Sequence, residues 1–145
     1  MSLRAPAILL WAAALSGLAC EVVHAQPDVV AVVSAKNPVG SLTTDQLSDI
    51  YLGRSSHFPN GTAAQPCDLL ENSPLRDEFY RRLLGKTPAQ VKAYWARMIF
   101  TGRGQPPREV QTSEDAKRLV AENINAVCYI DRAQVDSSVN VVAPR

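Results

Sequence analysis

The stretch ENSPLRDEFYRR, residues 71–82, reads as the opening of a helix, and its surroundings decide the fold. Ser73 suits the N-cap, and Pro74 the first helical position, where its fixed φ fits and its missing N–H has no intrahelical partner to lose. Leu75, Phe79, Leu83 and Leu84 then recur at helical spacing, and Gly85 ends the element. Just upstream, AQPCDLL at 64–70 reads as a short strand, moved toward an edge position by Pro66. A strand feeding a helix is the building unit of an α/β sheet. The open end of such a helix has exposed N–H groups and the positive end of a dipole, which suit an anion and are equally well solvated by water.

Working outward, VVAVV at 29–33 is a β-branched run of the kind found in a strand covered on both faces. Thr43 and Gln46 make a capping box, and Leu42 and Leu47 sit at the positions of a hydrophobic staple. Leu47, Ile50 and Tyr51 form one apolar face of that helix, and Gly53 closes it. RSSHFPNGT at 54–62 is a polar loop with an Asn-Gly turn. After Gly85, Thr87, Pro88 and Gln90 cap another helix, in which Val91, Tyr94, Trp95, Met98 and Ile99 make a regular core stripe. TGRGQPPR at 101–108 is irregular. Thr112 or Ser113 starts a fourth helix, with Ala116, Leu119 and Val120 facing inward, and AVCYI at 126–130 and VNVV at 139–142 close the chain as strands. The order strand, helix, strand, three helices and two strands predicts an α/β fold in three layers: a small, mainly parallel (mixed) sheet with helices on both faces. Ligands of such sheets collect at the carboxyl ends of the strands.

Residues 1–25 have the layout of an export signal, with Arg4, an uncharged run at 5–19, and Val23, His24 and Ala25 before the cut. Cys20 offers a lipoprotein alternative. Residues 26–145 then form a single domain with one core. Losing Arg4 and Glu21 leaves the net charge at +1, which does not indicate nucleic acid, and no later run is long enough to span a membrane. Outside the signal two cysteines remain, Cys67 and Cys128, and two readings stand: a disulfide in an oxidising compartment, or separate buried thiols. His57 is the one histidine left, so a zinc site would need His57, Cys67 and Cys128 to converge without motif spacing, and a Cys67–His57 nucleophilic pair lacks an orienting third group. Neither a metal, a cofactor nor an enzymatic centre is expected.

Together DIYLGR (49–54), RSSHFPNG (54–61), ENSPLRDEFYRRLLG (71–85), WARMIFTGRG (95–104) and AVCYID (126–131) resemble the phosphate ABC transporter substrate-binding proteins of the type 2 periplasmic-binding fold. The resemblance implies an exported, non-enzymatic solute-binding domain, periplasmic or secreted, that delivers or senses a small oxyanion. Full-length members close two lobes on phosphate, and this chain has the length of about one, resembling the second. Where relatives have a Ser-Gly-Thr segment around phosphate, this sequence has Ser73, Pro74 and Leu75, so that only Ser73 carries over. Cys128 stands where the family motif often has Gly, and Cys67 where an apolar residue is common.

The candidate ligand-binding groups are the Ser73 hydroxyl, the backbone N–H groups of Leu75 and Arg76, the Arg76 guanidinium, and Arg103 in its glycine-flanked loop. Asp68, Glu71, Asp77 and Glu78 surround the same helix end and oppose an anion. Two functions follow. One is a single lobe binding phosphate or a similar oxyanion; the other is a ligand-free module that docks an ABC permease, a sensor protein or a second copy of itself.

Overall fold

The computed structural model describes residues 25–144. The expected export signal, apart from Ala25, and the Cys20 alternative lie outside the described residues. Within them the elements are β1 (Val29–Ser34), α1 (Thr44–Tyr51), β2 (Gln65–Leu69), α2 (Pro74–Leu84), α3 (Pro88–Phe100), β3 (Arg108–Val110), α4 (Ser113–Glu122), β4 (Ala126–Asp131) and β5 (Val139–Ala143).

The strands form one mixed sheet in the order β3-β2-β4-β1-β5. β2 runs parallel to both β3 and β4, whereas β1 is antiparallel to β4 and β5. All six residues of β1 are buried, the burial expected of its unbroken β-branched run. The sheet order also explains the two helical layers. The step from β2 to β3 goes one way across the sheet and the step from β3 to β4 goes back, so right-handed crossovers put their helices on opposite faces. α1, α2 and α3 accordingly pack in series, and α4 lies against the strands. The fold is therefore the expected α/β arrangement.

The caps form as the sequence dictates. Thr43 and Thr87 complete capping boxes with Gln46 and Gln90, and Ser73 and Thr112 cap α2 and α4. Gly85 ends α2 at φ +63°, a left-handed conformation that favours glycine.

Three expectations need correction. β2 is an interior strand, because the N–H missing at Pro66 is not needed there. Gln65 N–H donates to Asn125 O on the β4 side (2.8 Å), so the nitrogen of Pro66 points the other way, toward β3. Pairing with β3 begins one residue later, at Cys67 opposite Arg108. The three-residue β3 itself lies in and just after the segment read as irregular, too short to show alternation. Ile99, placed in the core stripe, is 57% exposed at the end of α3, while Val91 and Trp95 of that stripe are buried.

The core is rich in aromatics. Phe79 of α2 stacks on Tyr129 of β4 with ring centroids 3.9 Å apart, and Tyr51 of α1 packs against Phe79 at 4.6 Å. The Tyr51 hydroxyl reaches Cys67 O (2.9 Å) and Val127 O (3.2 Å), bridging the two strands beneath it.

Cys67 and Cys128 form a disulfide. β2 and β4 pair Gln65 with Ala126 and Pro66 with Val127, and the next step of the same register brings the cysteines opposite each other, Cα atoms 5.0 Å apart. The bond spans a sequence separation of 61, so the chain-entropy model assigns it about 4 kcal/mol. Replacing both cysteines by Ser is expected to lower stability in urea by about that amount. Peptide mapping should recover residues 67 and 128 in one linked fragment that separates on reduction.

Candidate functional site

The carboxyl ends of the parallel strands deliver the chain to two helix starts. After β2 the backbone turns at Leu70, with Ser73 N–H donating to Leu70 O (2.9 Å), and enters α2. Ser73 Oγ accepts from Arg76 N–H (3.4 Å), and Asp77 N–H donates to Ser73 O (3.2 Å). Pro74 has no N–H to give. Leu75 N–H is therefore the one open backbone donor in this first turn.

After β3, Thr112 caps α4 by accepting from Asp115 N–H (3.1 Å). Ser113 Oγ donates to Gln134 Oε1 and accepts from Asp131 N–H at 3.4 Å, tying the start of α4 to the turn after β4. Between the two helix starts lies an open cleft of about 410 Å³. Ser73, Pro74 and Leu75 form one wall, Ser113, Asp131 and Gln134 the other, with Pro27 and Ala133 completing it. Its one ionisable side chain is a carboxylate, Asp131, whose Oδ1 accepts from Ala133 N–H (2.9 Å). Beside Pro27, Asp28 bridges Arg82 (2.9 Å) and Arg132 (2.7 Å), which lowers the Asp28 pKa and occupies both guanidinium groups.

Of the residues singled out in the sequence, Ser73 and Leu75 line this cleft, and the two arginines do not. Arg76 turns under α2, where its Nε meets Asp68 Oδ2 at 3.2 Å and its guanidinium lies 5.0 Å from the Tyr80 ring centroid. Arg103 belongs to a separate depression with Ile99, Gly102, Gly104 and Gln105. That loop precedes β3, on the amino-terminal side of the parallel strands, and so cannot add charge to a cleft at their carboxyl side.

Asp68 is the group that sequence reading undervalued. It is 4% exposed, and Tyr129 donates to its Oδ1 while Tyr80 donates to its Oδ2 at 2.7 Å. Tyr129 in turn accepts from Leu69 N–H (3.0 Å). Burial first, and then the negative charge of Asp68, push both phenols well above their ordinary pKa. The signal was present in CDLL at 67–70: an acid inside an apolar strand needs partners. Ser113 and Asp131 were also overlooked as cleft residues, because a sheet order is needed to bring the ends of β3 and β4 beside β2.

Among the described residues no group of three or more His, Cys, Asp or Glu side chains could hold a metal ion. The sulfurs of Cys67 and Cys128 are bonded to each other, which removes the thiols on which the zinc and nucleophile readings relied. His57 Nδ1 lies 3.0 Å from Ser56 Oγ in an exposed loop.

With this geometry in place, the chain can be set beside known proteins. No protein-family model matches the sequence, and no curated protein does. Solved structures do. A protein assigned as a phosphate ABC transporter substrate-binding protein, with bound phosphate, from Clostridium perfringens matches 80% of this chain at 26% identity and a TM-score of 0.62. An ABC-type phosphate transport receptor from Vibrio cholerae matches 80% at 25% identity, also with a TM-score of 0.62. PstS from Borrelia burgdorferi, at 12% identity and a TM-score of 0.60, is alike in fold alone. The match takes in 44% of the Clostridium chain and 45% of the Vibrio chain, so this protein spans less than half the length of its neighbours. The fold is that of one lobe of a phosphate substrate-binding protein.

The Asp68 cluster makes its own prediction. Asp68→Asn leaves the partly buried Arg76 without its counter-charge and is expected to cost about 3 kcal/mol in urea unfolding, with Tyr129→Phe costing about 1–3 kcal/mol. The pH dependence has a definite sign. The folded state keeps phenol protons that the unfolded chain releases above about pH 10, so this contribution is intact below that pH and falls as pH rises through it. The double Tyr80→Phe, Tyr129→Phe variant should lose stability less steeply on the alkaline side.

Proposed function

We propose that this protein is an exported, non-enzymatic solute-binding lobe, and that the cleft between the starts of α2 and α4 is one wall of a site for phosphate or a similar oxyanion. The observation that carries this reading is the convergence of two helix N-termini, with Ser73 and Leu75 on one and Ser113 on the other, at the carboxyl edge of a lobe whose neighbour was solved with phosphate. The periplasm is the compartment that fits such neighbours and a stable Cys67–Cys128 bond. An ABC permease or a sensor protein is the natural recipient of the bound solute.

On its own the lobe holds its ligand weakly. Pro74 withholds a donor, Arg76 is engaged by Asp68, and Asp131 places a negative charge in the cleft. One open wall also leaves much of a small anion in water, so an affinity of about millimolar follows. Calorimetry with phosphate, sulfate and molybdate tests this. A weak, saturable site that Ser73→Ala diminishes is expected; a folded protein giving no heat at millimolar anion overturns it. Arg76→Ala separates the wall from the core: it should lower stability and spare the residual anion binding.

A second reading is supported by α3. Its end exposes Phe100 to 92% and Ile99 to 57%, apolar surface of the kind that partner proteins cover. On that reading the lobe is a docking module for a partner protein or a second copy. Sedimentation as a monomer, together with no retention of any envelope protein by wild type beyond that of Phe100→Ser, counts against it.

A further inference from the structure

We propose that the amino-terminal edge of the parallel strands holds a second, separate site, shaped for a small organic acid: one carboxylate on an aromatic or branched apolar body. This edge lies across the sheet from the α2/α4 cleft. It carries a cavity of about 400 Å³, within the range of small-molecule sites, where β2, β3 and β4 begin at Gln65, Arg108 and Ala126.

The electrostatics of the two edges are opposite. The cleft at the carboxyl edge has one ionisable acid, Asp131, and no base in its lining. The cavity at the amino edge has one formally charged side chain, Arg108, and no acid. Neighbouring Arg54 is paired with Asp49 at 2.8 Å, whereas the exposed Arg108 guanidinium has no ion-pair or hydrogen-bond partner among the described residues. An unpaired guanidinium at the mouth of a pocket without acids selects a planar carboxylate, which it can grip with two parallel hydrogen bonds.

The rest of the lining sets the body of the ligand. Ile50, Tyr51, Trp95 and Leu119 supply an apolar floor. The Trp95 ring lies against two glycines. A Cβ at Gly53, where φ is +70°, would stand 3.3 Å from its Cη2, and one at Gly104 would stand 3.6 Å from its Cζ3. Pro66, Pro106 and Pro107 form a wall without backbone donors. Gln65 accepts from Asn123 Nδ2 through its Oε1 (2.9 Å), which leaves its amide N–H groups free to donate to a second carboxylate lone pair. Inorganic phosphate, small and strongly hydrated, makes no use of this floor. A monocarboxylate with a ring or branched chain uses both the floor and the arginine.

Isothermal titration of the full chain with phenylacetate and with 4-methylpentanoate tests the assignment. At least one of them should give a single saturable site, and acetate, which lacks the body, should give none. Phenylacetamide keeps the ring without the charge and should bind about tenfold or more weaker than phenylacetate. Arg108→Gln should weaken the acid by the same factor and leave the amide and the unfolding midpoint unchanged. No saturable heat with either acid, equal binding of acid and amide, or wild-type affinity in Arg108→Gln would overturn the proposal. Ser73→Ala, at the other edge, should leave phenylacetate binding untouched, so the two sites succeed or fail separately.

Discussion

Asp68 places a carboxylate where water cannot solvate it, and much of the protein is arranged around meeting that need. An isolated charge at such a position is too costly to keep, so its oxygens must be satisfied by fixed donors. Two of them, Arg76 and Tyr80, stand one helical turn apart on α2, and the third, Tyr129, comes from the neighbouring strand β4. Meeting the charge therefore pins the helix to the sheet and sets where its first turn opens. It also uses the guanidinium that a sequence reader would first assign to a bound anion. The same residues that position the cleft thus deprive it of positive charge.

The fold was legible where pattern and capping agree. The β-branched run of β1, the two capping boxes and the Ser73-Pro74 start each point to one local structure, and each forms. Pro66 misled because its cost depends on which side of the strand needs an N–H, a question decided by the partner strands rather than by the proline. β3 escaped because three residues leave no room for a period, and Ile99 because a helical stripe continues past the point where neighbouring elements stop covering it. The site was less legible than the fold for a related reason. Ser73 and Leu75 are two residues apart in sequence, but Ser113 and Asp131 join them only through the strand order, and the direction of Arg76 is set by an acid eight residues earlier.

Comparison with the solved phosphate receptors gives the arrangement a frame. This chain matches somewhat less than half of each, and its described residues form a mixed sheet with helices on both faces. Its two edges then differ in character: helix starts and an acid on one side, an unpaired arginine over apolar residues on the other.

The place of β1 has a consequence for how such a lobe comes into being. Strand β1 comes first among the described strands, and its two neighbours, β4 and β5, come last. Until residues 126–143 are available, β1 has neither partner, and of the other strands only β2 and β3 can meet. Closing the sheet therefore waits on pairings between segments far apart in sequence, a high-contact-order event. A polypeptide threaded across a membrane in an extended state would gain from that property, since its opening strand stays unmated for as long as the remainder has yet to arrive.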